Sequence, residues 1–217
     1  MYKVVKKEAV LHKFAVIVLV FIFISSVVFG QSADSVPRQL GELISGGQVT
    51  LTARGNGSSS GFAVLGSLKN NTRSEIRASV IINGCIYFKN SGKGQNMLAA
   101  LIFHNDGSYY FEGSRYFIIL PAGGNTEVVF DAYCADFDLD NPSAGESFSF
   151  ASMPSDITDI ASKLSRFVTE QIDSDNDYLA AAQLALWRSR GNTREEISQK
   201  FDFEDEDWEL SAEIMNR

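Results

Sequence analysis

The stretch EVVFDAYCAD, residues 127–136, decides the fold, because a strand pattern ends within it and a helical pattern follows it. Apolar residues alternate along it, with Val128, Phe130, Ala132 and Cys134 each two positions apart. A period of two is typical of a β-strand that buries one face. The stretch therefore predicts the last strand of a β-rich half of the chain, with Cys134 at its end.

The residues before this strand carry further short apolar runs that are separated by turn sequences. Asp106-Gly107 lies between two such runs and is a fair signal for a β-hairpin. Six strands are predicted, at 48–53, 61–68, 75–88, 97–103, 109–120 and 127–134. Short strands with regular turns predict an antiparallel sandwich or barrel-like module over 48–150, after a polar lead-in at 31–47.

Beyond the strand, apolar residues recur at three and four positions, which predicts helices. Ser155 is the expected N-cap of the first helix, and a second helix is expected at about 177–189. The sequence TREE at 193–196 matches a capping box, and the acidic run 204–207 is expected to lead into a fourth helix. We therefore predict an α+β fold, in which a helical cap at 151–217 packs on the β module as one composite domain.

The net charge of the chain and its amino-terminal residues give expectations about the partners and the location of the protein. The chain has 217 residues and a net charge of −8, so nucleic acid and anionic membrane surfaces are poor partners. Residues 1–30 carry lysines, then an apolar run, then small residues, which is the order of a secretory signal peptide. We expect cleavage of this segment to leave a secreted protein without stable membrane insertion.

One glutamine, Gln183, interrupts an otherwise apolar helical face that includes Leu179 and Trp187. A buried amide without a partner costs roughly 1–3 kcal/mol, so Gln183 must find one. One interpretation is a hydrogen bond to the backbone where helix and sheet meet. The other places the amide carbon against the thiol of Cys134, whose attack with loss of ammonia leaves an internal thioester. Whether or not the two are bonded, we expect Cys134 and Gln183 to lie side by side.

Three motifs are involved in a resemblance to a known family. They are Tyr133-Cys134-Ala135-Asp136, the loop NPSAG at 141–145, and Gln183-Leu184-Ala185-Leu186-Trp187. Together they resemble the thioester domains of bacterial surface adhesins, over about 131–190. The resemblance implies a Cys134–Gln183 thioester that reacts with a surface protein or another amine-bearing ligand. It also implies supporting roles for four residues: Tyr133, Asp136, Ala185 and Trp187.

A disulfide between Cys85 and Cys134 is the competing interpretation, because exported proteins with two cysteines usually pair them. The protein would then be an exported, non-catalytic β-sandwich module with a binding or structural role. In neither case does the sequence predict an enzyme, since His104 is the only histidine after the signal segment and no nucleophile–base pair is evident.

A calcium site is a further alternative at the end of the β-rich half. Asp136, Asp138 and Asp140 alternate, so on an extended strand their carboxylates would share one face. Carboxylate oxygens are ligands that calcium prefers. No other cofactor is expected.

Overall fold

The computed structural model describes residues 36–172, 174 and 177–217 of the chain. The predicted signal peptide at 1–30 lies outside the described residues. Within the described part, none of the helices is long and apolar enough to cross a membrane.

Strands occupy most of the chain up to residue 151, and helices occupy most of the remainder. The strands are β1 (Val49–Gly55), β2 (Val64–Asn70), β3 (Ile76–Ser79), β4 (Ile81–Asn90), β5 (Met97–His104), β6 (Tyr110–Glu112), β7 (Arg115–Leu120), β8 (Asn125–Cys134) and β9 (Ser147–Ala151). The helices are α1 (Leu40–Ser45), α2 (Thr158–Gln171), α3 (Leu179–Ser189), α4 (Arg194–Ser198) and α5 (Asp205–Met215). The fold is α+β with a barrel-like β module, as the sequence predicts.

Six strands close into a barrel in the order β1-β2-β8-β5-β4-β9, and each neighbouring pair is antiparallel. Closure leaves these strands without a free edge. The inner face of β8 fills the barrel, since the Phe130 ring packs edge-to-face on Phe88 of β4, with ring centroids 5.0 Å apart. The strands β3, β7 and β6 form a separate three-stranded sheet.

The helices after residue 157 cover the outer surface of one side of the barrel. α2 packs on β4 and β5 with a buried apolar stripe that includes Leu164 and Phe167. The hydroxyl of Ser165 donates to the carbonyl oxygen of Ile82 at 2.8 Å, which ties α2 to β4. α3 packs between β8 and α5, so the helices do form a cap on the β module.

Several predicted boundaries are wrong in detail. The predicted strand 75–88 is two strands, because the chain passes from one sheet to the other at buried Val80. The predicted strand 109–120 is a hairpin that turns at Gly113 and Ser114, both with positive φ. The polar lead-in contains α1, which buries Leu40 and Leu43.

The end of the β module and the helix starts also differ from expectation in part. β9 was not predicted, although it closes the barrel by pairing with both β1 and β4. Ser155 is not a helix N-cap, because it begins a 3-10 turn that precedes α2. The capping box of Thr193 and Glu196 is confirmed, and the acidic run does begin α5.

Gly66 of β2 gives a test of how tightly the barrel is filled. A Cβ atom there would lie 2.8 Å from the Phe130 ring and 3.1 Å from Val128. We expect Gly66→Ala to lower the free energy of unfolding by about 1–3 kcal/mol, because the interior must move to accept one methyl group. Urea unfolding followed by circular dichroism measures this.

Gly41→Ala in α1 is the matched control, since a Cβ atom at Gly41 meets nothing within 4 Å. Alanine is the better helix former, so this variant should keep or raise stability by up to about 1 kcal/mol. Equal losses for the two variants would contradict a filled barrel.

Candidate functional site

The structure places Gln183 of α3 directly against Cys134 at the end of β8. The Oε1 atom of Gln183 accepts from the backbone N–H of Cys134 at 2.8 Å, and its Nε2 donates to the carbonyl oxygen of Cys134 at 2.7 Å. Both residues are fully buried. The predicted juxtaposition is therefore confirmed, and the contact is the amide-to-backbone bond of the first interpretation.

The position of Cys134 beyond the end of β2 explains why the backbone needs this amide. β2 pairs with β8 only as far as Val64, which lies opposite Phe130. Residues just before β2 continue the pairing: the N–H of Ala132 bonds to Gly61 O at 2.8 Å, and that of Cys134 bonds to Ser59 O at 3.0 Å. The Cys134 N–H is therefore shared between Ser59 O and Gln183 Oε1, while Gln183 Nε2 donates to the carbonyl oxygen of Cys134. Both buried backbone groups of Cys134 thus have hydrogen-bond partners.

The thiol of Cys134 lies in an apolar environment. Its Sγ is 3.6 Å from Met97 Sδ and 3.9 Å from Asn141 Oδ1, both within the β module or the loop that follows it. Burial, with a smaller contribution from the charge of Asp136, raises the pKa of the Cys134 thiol to about 12. The thiol is therefore protonated at neutral pH, and it is a weak nucleophile in this state.

Asp136 and Arg190 fasten the strand end to the end of α3. Asp136 Oδ2 accepts from the backbone N–H and the side-chain amide of Asn96, at 3.0 and 2.6 Å. Arg190 donates to Asp136 Oδ1 at 3.1 Å and to the carbonyl oxygen of Ala135 at 2.7 Å. These bonds hold the residues after Cys134 against the helix that carries Gln183.

The remaining predicted supporting residues have packing roles. Trp187 is buried and packs edge-to-face on Phe137, with ring centroids 5.3 Å apart. Ala185 is fully buried in α3. Tyr133 lies on the opposite face of β8 from Cys134, and its hydroxyl donates to Asp131. Trp187 and Ala185 are thus part of the packed core around α3, whereas Tyr133 belongs to a polar cluster with Asp131.

The disulfide interpretation is wrong for this structure, because both thiols are free. Cys85 lies on β4, and its Sγ donates to the carbonyl oxygen of Ala161 in α2 at 3.2 Å. Cys134 contacts Met97 and Asn141 instead. The two side chains have separate environments, on the helix-facing side of β4 and at the end of β8.

The calcium interpretation is also wrong, because no group of three acidic, histidine or cysteine side chains within the described residues could hold a metal ion. β8 ends at Cys134, and the chain then turns, so the three aspartates do not share the face of a strand. Asp136 is engaged by Asn96 and Arg190, while Asp138 and Asp140 are exposed.

Asp131 is a candidate site residue that the sequence analysis missed. Its side chain is 2 % exposed, and its Oδ2 accepts from the hydroxyls of Tyr133 at 3.0 Å and Tyr178 at 3.2 Å. Its Oδ1 has no hydrogen-bond partner among the described residues. Burial raises the pKa of Asp131 to about 6, against the lowering effect of the two tyrosine bonds. A carboxylate within an otherwise apolar strand was the signal that could have revealed it.

Asp131 lines a cavity of about 490 Å³ between the outer face of the barrel and the region before α3. Phe62, Phe103, Tyr109 and Tyr178 contribute aromatic rings to its wall. An apolar cavity with one buried polar group is the usual form of a small-molecule site. The structure therefore contains two candidate sites on opposite faces of β8.

Comparisons with known proteins identify no relative of this chain. No protein-family model, curated protein or solved structure matches the chain. Functional inference therefore depends on the Cys134–Gln183 contact and on the cavity beside Asp131.

The raised pKa of Asp131 predicts a pH dependence of stability with a definite sign. The carboxyl has a pKa of about 6 when folded and about 3.9 in an unfolded chain, so the folded state binds more protons between these values. Stability due to this group is present at low pH and is lost as pH rises through about 6. We expect the free energy of unfolding of the wild type, minus that of Asp131→Asn, to be roughly 2 kcal/mol larger at pH 4 than at pH 7.

Tyr133, Tyr178 and Cys85 do not titrate in this window, because burial raises the pKa of each. Asp106→Asn is a control of opposite sign, since hydrogen bonds from Ser108 lower the pKa of this exposed carboxyl. Urea titrations at several pH values provide the measurement. A difference between wild type and Asp131→Asn that is independent of pH would contradict the assignment.

Proposed function

We propose that the protein is an exported, thioester-domain-like protein in which Cys134 and Gln183 form an internal thioester for covalent attachment to surface amines. The observation that supports this proposal is the 2.8 Å hydrogen bond from the Cys134 N–H to the Gln183 carbonyl oxygen, in a fully buried position. The resemblance of the surrounding motifs to thioester domains of bacterial adhesins agrees with it.

The hydrogen bond has the right polarity for the reaction. When the Cys134 sulfur adds to the Gln183 amide carbon, negative charge develops on Oε1, and the Cys134 N–H is already directed at that atom. A fixed backbone donor of this kind stabilises a tetrahedral oxyanion. The new bond is carbon–sulfur, the broken bond is carbon–nitrogen, and the thiol proton leaves with the amide nitrogen as ammonia.

Proximity and exclusion of water compensate for the weak nucleophile. Burial keeps the Cys134 thiol protonated, so formation relies on the high effective concentration that follows from holding the Gln183 amide against the backbone of Cys134. Cys134 and Gln183 are both fully buried, and this burial would protect a thioester from hydrolysis. Later attack by an external amine forms an amide at Gln183 and returns the Cys134 thiol.

A second candidate function is a non-catalytic binding module, and the same amide favours it. Both polar atoms of Gln183 are already bonded to the backbone of Cys134, so the glutamine also satisfies a purely structural role. In that case the cavity beside Asp131 is the binding site. The two candidates differ in the covalent state of Cys134, which can be measured directly.

Intact mass spectrometry of the denatured protein tests the thioester. We expect the wild type to be lighter than its sequence by one ammonia, about 17 Da, and to gain methylamine upon incubation. Cys134→Ala and Gln183→Ala should each abolish the deficit and the labelling. Cys85→Ala is the matched control, because the Cys85 thiol contacts Ala161 and not Gln183. The mass deficit and the methylamine labelling of this variant should equal those of the wild type.

The thioester would be contradicted by a wild-type mass equal to the mass calculated from the sequence, together with the absence of a methylamine adduct. The binding module would then be the remaining function. Loss of the deficit in Cys85→Ala would show that the wrong cysteine had been assigned.

Export has a separate test. We expect protein secreted by an expressing host to lack residues 1–30, because lysines, an apolar run and small residues occur there in signal order. Amino-terminal sequencing should begin at about Gln31. Secreted material that begins at Met1 would contradict cleavage of the segment.

A further inference from the structure

We propose that the cavity beside Asp131 binds a small organic ammonium ion, with Asp131 as its counter-ion and the surrounding aromatic rings around its apolar body. This site is separate from the thioester proposal, because it lies on the opposite face of β8 and requires no covalent chemistry. The proposal depends on the geometry of the carboxylate, the charge of the cavity wall and the shape of the cavity.

The carboxylate of Asp131 has one oxygen that is bound and one that has no partner among the residues that the structure describes. Tyr133 and Tyr178 both donate to Oδ2, and together they fix the orientation of the group. Oδ1 has no partner among the described residues, although Asp131 is 2 % exposed. A buried, unpaired carboxylate oxygen is costly, and a cationic hydrogen-bond donor is the partner that best removes this cost.

The charge of the cavity wall selects a cation. Among the described residues that line the cavity, the charged side chains are Asp131 and Asp177, and none is lysine, arginine or histidine. An anionic ligand would therefore meet two carboxylates and no basic group. The wall favours a positively charged ligand and disfavours a negative one.

The aromatic rings indicate that the cation carries an apolar body. Phe62 and Phe103 have ring centroids 5.5 Å apart, and those of Phe103 and Tyr109 are 5.8 Å apart. Aromatic faces attract organic ammonium ions and also contact an apolar group. Phe62 is 52 % exposed, which is unusual for so large an apolar side chain, and a bound ligand would cover part of it.

Size and ligand chemistry separate an organic cation from a metal ion. The volume of about 490 Å³ lies within the range of small-molecule sites. A calcium ion needs six to eight oxygen ligands, whereas within the described residues no group of three metal-ligating side chains exists. The buried carboxylate of Asp131 with its aromatic neighbours therefore suits an ammonium group.

Isothermal titration calorimetry with N,N-dimethylphenethylamine tests the proposal. This probe is cationic at neutral pH and combines an ammonium group with an aromatic ring. As a tertiary amine it cannot form an amide, so its binding is independent of any thioester. We expect reversible binding of this probe, and binding that is weaker by roughly tenfold or more for neutral 2-phenylethanol and anionic 3-phenylpropanoate.

Two variants locate the site. Asp131→Asn keeps the shape of the side chain and removes its charge, so it should weaken probe binding by roughly tenfold or more. Phe62→Ala should also weaken binding, whereas Phe111→Ala is its matched control. Phe111 is similarly exposed, at 49 % against 52 %, but lies on β6 and does not line the cavity.

Three results would overturn the proposal. They are an absence of probe binding at roughly millimolar concentration, equal binding of the probe and 2-phenylethanol, and equal effects of Phe62→Ala and Phe111→Ala. If Asp131→Asn does not fold, the charge series of probes and the two phenylalanine variants still decide the matter.

Discussion

The structure depends on the requirement that every buried backbone group of β8 finds a hydrogen-bond partner. β8 lies between β2 and β5 in the closed barrel, and its last seven residues are buried. Its end extends past β2, where Ser59, Gly61 and the amide of Gln183 complete the hydrogen bonding. An unpaired buried group there would cost as much as a lost hydrogen bond, so α3 must return to this point.

This requirement gives Gln183 a structural role, and the same contact is the basis of the proposed thioester. As a backbone partner, it stabilises the end of β8 and fixes α3 on the barrel. In the proposed reaction, the Cys134 N–H that now bonds to Oε1 would stabilise the charge that develops there during attack by the thiol of the same residue. The structural role explains why Cys134 and Gln183 meet. The mass of the protein shows whether they also form a thioester.

The alternation of β8 places two chemically different side chains, those of Cys134 and Asp131, on its two faces. Cys134 shares the inward face with Phe130, whereas Asp131 and Tyr133 face the helical cap. Both ionisable groups are unfavourable in charged form, since burial raises the pKa of each. Burying a carboxylate with an unpaired oxygen lowers stability, and such a cost is commonly found at binding sites.

The local patterns of the sequence determined the fold class and most of its elements. Period-two alternation predicted β8, and the capping box at Thr193 and Glu196 predicted the start of α4, because both signals depend only on neighbouring residues. The apolar surroundings of Gln183 predicted a partner at the boundary of helix and sheet. The contact with Cys134 followed from the order of strand, returning helix and second helix.

Only the tertiary structure decided how the elements close and which polar groups meet. β9 completes the barrel through pairing with β1 and β4, partners that are distant in sequence and leave no local signal. The separate environments of Cys85 and Cys134 excluded the disulfide, and the turn after β8 excluded the calcium site. The environment of Asp131 depends on Tyr178, 47 positions away, and on a cavity formed by several elements. Such features arise from long-range packing, which residue spacing does not encode.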